Sequence, residues 1–347
     1  MSTSGARRAT LATIAASAGV SVATVSKVLN GRADVAPTTR ARVADLLAKH
    51  DYIGRRSGPR AQPVVELVFD DELNAYATEI VQGTLDAAAG AGAVVAVAVR
   101  GRRGAVGPPV AWARELVATG REAVIGVVNS LTAGHVTALA TAGLPLVVID
   151  PIDLPRARVT SVGATNFAGG VAAARHLLSL GHRRVAYVGG SPTAACSQAR
   201  MHGFRAALEA AGLPLPDGFL RGGLFRYQDG VEGATALFAL PTPPTAVFAA
   251  CDAVAAGVVE AARAHGLRVP QDLSVVGFDD TDLARYGAPP LTTVRQPLRE
   301  MGQIAARVLL DRINASDGSD ARSEDSFVVM KPELIVRDST GAVRRKR

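Results

Sequence analysis

Four aspartates and one arginine stand where this chain could do chemistry. Asp150 closes the apolar run LPLVVID, Asp252 follows TAVFAAC, and Asp279 and Asp280 close LSVVGFDD. Arg200 opens a helical stretch shortly after RRVAYVGG. Carboxylates and a guanidinium take paired hydroxyl groups, and a nearby aromatic ring covers the apolar face of a sugar, so such a ring of side chains suits a polyhydroxylated ligand. Taken singly, each of these residues reads equally well as a helix cap or a surface acid. Their recurrence at strand ends is what carries the ligand reading.

The elements that must position them are legible as alternating textures. Apolar β-type runs occupy residues 64–70, 94–100, 123–128, 144–150, 183–190, 245–250 and 273–280. Ala-rich helical stretches lie between them, among them 79–90, 167–180, 199–211 and 253–265. Strand and helix in alternation predict an α/β fold of doubly wound parallel sheets. Four runs before residue 151 and three or more after 180 divide it into two lobes. In open sheets of this class ligands sit outside the carboxyl ends of the strands, where the aspartates fall. His182, in GHRR, is expected to cap a helix end. The segment 316–325 (SDGSDARSED) reads as a surface loop and the final RRKR as a solvated tail.

Ahead of this body lies a different kind of segment. Leu11, Ile14, Ala15 and Ala18 form the stripe of an amphipathic helix, which Gly19 stops. Ser21 is placed to cap a second helix with Val25, Val28 and Leu29 turned inward. Pro37 opens a third, with Val43, Leu46 and Leu47 inward and Arg40, Arg42 and Lys49 outward. Two short helices joined at a glycine, then a third, make a helix-turn-helix head. Residues 1–60 hold ten Lys and Arg against three acids, whereas the other 287 residues carry 28 of each sign. A basic head on a neutral body calls for a polyanion, and double-stranded DNA is the fitting one. On the second helix, Lys27 can donate to guanine, Val22 and Ala23 can touch thymine methyls, Thr24 and Ser26 can bond phosphates or base edges, and Asn30 can bond backbone. The predicted organisation is a head over 1–53, an Arg/Gly/Pro-rich linker over 54–63 and a two-lobed body over 64–347.

Other chemistries lack their residues. The chain has no G-x-G-x-x-G after a strand, P-loop, G-x-S-x-G, H-E-x-x-H or EF-hand loop. No catalytic residue, cofactor or metal site is therefore expected. Cys196 and Cys251 are the only cysteines, a usage that fits a reducing cytoplasm. No apolar run is long enough to predict a membrane span. Two rivals remain at this point. Paired Arg7 and Arg8 before a mildly apolar stretch and an Ala-Ser-Ala triplet resemble an export signal, which would make the chain an exported sugar-binding protein, although Thr10, Thr13 and Ser17 dilute the apolar region. An enzyme of the α/β class is the other.

In the stretches TLATIAASAGVSVATVSKVLNG, TRARVADLLAKHDYI, HLLSLGHRRVAYVGG, RMHGFRAAL, PPTAVFAACD, GLRVPQDLSVVGFDD and PPLTTVRQP the sequence resembles the lactose-repressor (LacI/GalR) family of bacterial transcription regulators. The resemblance spans nearly the whole chain. It implies a homodimer that grips a near-palindromic operator through its heads, and a periplasmic-binding-protein-like core that closes on a small carbohydrate effector. It implies that Leu11, Ser21, Val22, Ala23, Thr24, Ser26, Lys27, Asn30, Thr39 and Tyr52 meet DNA. It also implies that Tyr76, Asp150, Cys196, Arg200, Phe225, Asp279 and Gln296 meet the effector. The chain departs from the family pattern in three places. Cys251 stands where an Asn usually precedes Asp252, Ala36 replaces the usual cap of the third helix, and Ala61 lies near the place of a leucine that wedges into the minor groove. Without that wedge, Arg55, Arg56 and Arg60 are expected to follow the minor groove electrostatically.

Overall fold

The computed structural model describes residues 11–29, 35–49, 62–70, 72–100, 107–127, 131–150, 159–315 and 327–343. Asn30, Tyr52, Arg55, Arg56 and Arg60 lie outside the described residues, as do Ala61, the 316–325 segment and the terminal RRKR. The chain divides into two compact units, residues 1–62 and 63–347.

The first unit contains α1 (Leu11–Ala18), α2 (Val22–Leu29) and α3 (Pro37–Lys49). Ile14, Ala15, Ala18, Val25 and Val43 are buried together, with Val20, Val28, Leu46 and Leu47 packed against them. The turn between α1 and α2 is a glycine-terminated one. Gly19 takes φ +63°, and the Val20 N–H reaches back to the Ala15 carbonyl at 3.1 Å. Ser21 Oγ then accepts the Thr24 N–H at 3.1 Å, which satisfies an orphan donor of α2. Pro37 sits at the first position of α3, where its missing N–H costs no helix bond.

The second unit is built from β1 (Val64–Phe69), α4 (Ala75–Gly90), β2 (Val94–Val99), α5 (Pro109–Ala118), β3 (Ala123–Val127), α6 (Ala133–Thr141), β4 (Leu146–Ile149) and β5 (Thr160–Ala164). It continues with α7 (Asn166–Ser179), β6 (Val185–Val188), α8 (Ala195–Ala210), β7 (Leu220–Arg221), α9 (Tyr227–Phe238), β8 (Ala246–Ala249), α10 (Asp252–Ala264), β9 (Ser274–Asp279), α11 (Asp282–Tyr286) and β10 (Thr292–Arg295). It ends with α12 (Leu298–Ala315), β11 (Phe327–Met330) and β12 (Glu333–Ile335). Among the described residues the strands form two sheets, ordered β11-β5-β4-β3-β1-β2 and β12-β10-β9-β8-β6-β7. Every pairing is parallel except β10 with β12. Helices cover both faces of each sheet, which is why the central strands read as unbroken apolar runs.

The expected seven strands are all present, and each of the four helical stretches expected in the body is found with its start shifted by one to four residues. Helix α4 begins early because Asn74 Oδ1 accepts the Ala77 N–H at 3.0 Å. The division of the chain differs from a plain front-and-back split. After lobe 2 has been built, α12 returns to pack on α4 and the first sheet, through Leu298, Met301, Ala305 and Leu309. Strand β11 also joins the first sheet before β12 joins the second. The lobes are thus joined by three crossovers: Thr165 between β5 and α7, Gln296 and Pro297 between β10 and α12, and Lys331 and Pro332 between β11 and β12.

Helix pairs meet backbone to backbone. A methyl group on Gly170 of α7 would run into the Arg200 carbonyl, and one on Gly203 of α8 into the Phe167 carbonyl. Gly230 and Gly257 play the same part between α9 and α10, and Gly83 and Gly302 between α4 and α12. His182 does more than close a helix. Its N–H does bond the Leu177 carbonyl beyond the end of α7, as expected of a cap. Its buried ring, however, joins Thr245 Oγ1 at 3.0 Å and Ser274 Oγ at 3.0 Å, which ties together the entry ends of two strands.

Asp252 corrects the reading of strand-end carboxylates as a uniform ligand set. Its Oδ2 accepts the Thr281 N–H at 2.7 Å and the Thr281 hydroxyl at 2.9 Å, and its Oδ1 accepts the Thr293 hydroxyl at 2.6 Å. Gly277 leaves the space that this carboxylate fills. The group therefore holds α10, α11 and β10 together. Burial, reinforced by the charge of Asp279, pushes its pKa up to about 7, against the opposing pull of the Thr293 and Thr281 hydrogen bonds.

No helix among the described residues is long and apolar enough to cross a membrane. Two tests follow from the packing. Gly170→Ala is expected to cost about 1–3 kcal/mol in urea unfolding because the helix pair must separate. Gly90→Ala, at a site open to solvent, should stay within about 0.5 kcal/mol of wild type. Because folding raises the pKa of Asp252 above its unfolded value of about 3.9, the stability it contributes is complete below that value and lost as pH climbs through about 7. Thermal midpoints taken from about pH 5 to pH 8 should fall more steeply for wild type than for Asp252→Asn; parallel curves would refute the assignment.

Candidate functional site

The carboxyl ends of β3 and β4 in lobe 1 face those of β8 and β9 in lobe 2 across a cleft with room for about 180 Å³ of water. Lobe 1 contributes Asn74, Ala75 and Tyr76 from the start of α4, Val127, Ile149 and Asp150. Lobe 2 contributes Cys196 and Arg200 from α8, then Phe225, Cys251, Asp252, Asp279, Thr281 and Leu283. A mainly apolar lining with a few convergent polar groups is that of small-molecule sites.

The centre of the cleft wall is an ion pair. Arg200 is only 2 % exposed, and its Nη2 lies 3.4 Å from Asp279 Oδ1. Its Nε donates to Asn166 Oδ1 at 2.7 Å and its Nη1 to the Ala250 carbonyl at 2.7 Å. The guanidinium carbon stacks 3.8 Å from the centre of the Phe278 ring and 5.9 Å from that of Phe225. Burial disfavours the charge on Arg200, but the neighbouring Asp279, Cys196 and Asp150 outweigh it and raise its pKa. Burial also raises the pKa of Asp279, against the pull of Arg200 and of the Gln296 hydrogen bond. The pair is thus desolvated and oriented before any ligand arrives.

Opposite it, the Tyr76 hydroxyl donates to Asp150 Oδ2 at 2.7 Å. Burial first, then the Asp150 charge, raises the Tyr76 pKa well above that of a free phenol. Asp150 Oδ1 is buried and, among the described residues, accepts no hydrogen bond. An ionised carboxylate has room for several donors, so this oxygen is an acceptor awaiting one. Asp150 takes φ +51°, Asp279 +102° and Asp280 +57°, conformations that non-glycine residues adopt only when their surroundings hold them there. Main-chain strain therefore collects at the strand ends that border the cleft.

Six of the seven residues expected to meet an effector line this cleft: Tyr76, Asp150, Cys196, Arg200, Phe225 and Asp279. Gln296 stands behind it, and its Nε2 donates to Asp279 Oδ1 at 2.7 Å. Asp280, also expected at the ligand, points away into a bond with Arg295 Nε at 2.7 Å and another with Arg337 Nη2 at 2.6 Å. Asp280 lies just past the end of β9, and the successive positive φ values of Asp279 and Asp280 turn its side chain away from the cleft. Asn74 and Asn166 were not singled out from the sequence. Asn166 follows the strand TSVGA and opens a helix, so the strand-end rule applied to the other residues would have found it. Cys251 occupies the N-cap position of α10, where its thiol points at the Phe225 carbonyl, 3.6 Å away. Burial raises the Cys196 thiol to about 11 and the Cys251 thiol to about 12, so neither is a ready thiolate. Among the described residues no cluster of side chains could hold a metal ion.

In the first unit, Val22, Ala23 and Lys27 are exposed on α2, while Val25 on its other face is buried. Ser21 is exposed and hydrogen-bonds Thr24, and Thr39 is half-buried in the first turn of α3. Leu11 and Ser26 belong to α1 and α2, with their side chains outside the description. Among the described side chains, the exposed face of α2 carries Val22, Ala23 and one cation, Lys27.

Residues 10–54 match the model of bacterial regulatory proteins of the lacI family, and residues 174–340 match a periplasmic binding protein-like domain. The HTH-type transcriptional regulator CelR of Thermobifida fusca is 32 % identical over 358 residues, covering 96 % of this chain and 98 % of that protein. A solved complex of a transcriptional regulator CelR with cellobiose superposes with a TM-score of 0.69 at 32 % identity, covering 96 % of this chain and all of that one. A lac repressor dimer bound to operator and the anti-inducer ONPF superposes with a TM-score of 0.70 at 26 % identity, covering 97 % of this chain and all of that one. The start of the chain matches a regulator's DNA-binding head and Ile14, Ala15 and Ala18 pack in its core, so the export-signal reading is set aside. The chain belongs to the LacI family of bacterial regulatory proteins and is a DNA-binding transcriptional regulator.

Proposed function

We propose that the chain is a homodimeric repressor that binds a near-palindromic operator through α2 and loses or gains affinity for it when a small carbohydrate enters the cleft between the lobes. One observation carries the carbohydrate part: Asp150 Oδ1, buried and without a hydrogen-bond partner among the described residues, lines the same cleft as Phe225 and the buried Arg200–Asp279 pair. Sugar hydroxyls supply donors to the carboxylates and acceptors to the guanidinium, and an aromatic ring covers the apolar face left between them. Cellobiose, held by the similar CelR complex, is the first sugar to try. The head, residues 1–53, carries the operator contacts in this reading, and 64–347 carries the effector site. Among the described residues, both cleft thiols are held well above the thiolate range, which supports a binding role over a thiol-based enzymatic one.

On DNA, Lys27 is assigned to a guanine edge, Val22 and Ala23 to thymine methyls, and Ser21, Thr24 and Thr39 to phosphates. Arg55, Arg56 and Arg60 are assigned to the minor groove, without a leucine wedge. Lys27→Ala is expected to cost about 1–3 kcal/mol on the preferred operator in a gel-shift titration, and to bind altered bases almost as well as the original. Unchanged discrimination between bases would refute the Lys27 assignment. Arg200→Ala should abolish the effect of sugar on operator affinity. A full sugar response in that variant would overturn the cleft assignment.

A further inference from the structure

We propose that Asp279 and Asp280 form an elbow that links ligand contact to the angle between the lobes, with Asp280 and Gln296 as its positioning residues; this rests on the reading of the cleft as an effector site. Each crossover between the lobes carries, or adjoins, a side chain that grips the elbow. Beside the first crossover, Asn166 holds Arg200 Nε, and Arg200 in turn faces Asp279. On the second, Gln296 holds Asp279, and Arg295 just before it holds Asp280 at 2.7 Å. Beyond the third, Arg337 holds Asp280 at 2.6 Å, and Glu333 lies 3.5 Å from Arg295.

The geometry makes these links mechanical rather than incidental. Both aspartates hold positive φ, +102° and +57°, so the elbow is a strained segment kept in place by its side-chain partners. The Asp280 side chain is fully buried, whereas Arg295 is 45 % and Arg337 19 % exposed. The carboxylate is the fixed point and the arginines are its arms. Successive peptide planes share an α-carbon, so a rotation that draws Asp279 toward a ligand hydroxyl must move Asp280 and pull on the second and third crossovers. Arg285 Nη2 also bonds the Asp280 carbonyl at 2.9 Å, so the main chain of the elbow is held as well as its side chain. Hinge closure needs a few residues that absorb a backbone change, and two discrete arrangements that both sites bias.

The test reads the angle directly. Nitroxide labels on Arg114→Cys in α5 and Glu232→Cys in α9, both on the surface, report the distance between lobes in a full-length Cys196→Ala, Cys251→Ala chain diluted with unlabelled protein. Without any sugar, Asp280→Asn should broaden or shift the interlobe distance distribution. Arg295→Gln, which removes a half-exposed partner and spares the buried carboxylate, should do so to a smaller extent. Glu66→Gln breaks a buried pair with Arg121, 2.9 Å apart and wholly within lobe 1, and should leave the distribution unchanged. If neither Asp280→Asn nor Arg295→Gln alters the distribution, or if Glu66→Gln alters it as much, the elbow is only structural glue and the proposal falls. Calorimetric titration of the otherwise native chain with cellobiose and with ribose tests the effector reading separately. Where calorimetry shows that the labelled Cys196→Ala, Cys251→Ala chain binds one of them as well, Gln296→Ala in that background should weaken the binding and reduce the sugar-driven distance change. A sugar-driven change of full size in Gln296→Ala overturns its role. Failure of both sugars to bind wild type counts against the effector reading, and the sugar-free distances then decide whether the elbow sets the angle.

Discussion

The body of the molecule is organised around a charge that has been taken out of water. Arg200 is buried against the Phe278 ring, and its cost is offset by Asp279, by the Asn166 amide oxygen and by the Ala250 carbonyl. A buried ion pair of this kind contributes little net stability, since desolvation consumes most of the attraction. What it does supply is orientation. Every donor it spends on the protein fixes the guanidinium more firmly, and each of those partners sits at the carboxyl end of a strand or the start of a helix. The strands must therefore end where they do for the pair to exist.

From this follows a division of labour among carboxylates that look alike in sequence. Asp150 keeps an oxygen unsatisfied in the cleft, Asp279 faces the arginine, Asp252 is saturated by threonines, and Asp280 is saturated by arginines. An unsatisfied buried acceptor is expensive, and proteins retain few of them without a reason. Asp150 and Asp279 serve the cleft, Asp280 serves the fold, and Asp252 lines the cleft with a carboxylate already held by threonines; burial with hydrogen bonding, not residue type, decides which.

Much of this is legible in the chain itself. The strands VVELVF, AVIGV, LVVI, VAYV, AVFA and SVVGFD are buried on both faces, so their composition alone marks them. The strands TTVR and TSVGA are harder to see because their buried threonines and serine satisfy their polar groups through partners far away in sequence, such as Asp252 for Thr293. The return of α12 and β11 to the first lobe is equally hidden, since periodicity tells which face of a helix is buried but not against what. In the cleft, Asp150, Arg200 and Asp279 are legible from strand ends. The turning away of Asp280 is not, because it depends on two successive positive φ values.

The glycine contacts of the helix pairs have a consequence for how such a molecule can diversify. Helix α8 is seated on α7 through Gly203 and the Arg200 carbonyl, that is, through main chain, while its side chains at Cys196 and Arg200 are turned to the cleft. Its chassis and its reading head are consequently encoded by different atoms. Substitutions such as those at Cys196 can rewrite chemical preference without retuning how the frame is bolted together, so relatives can share one skeleton while answering to different small molecules.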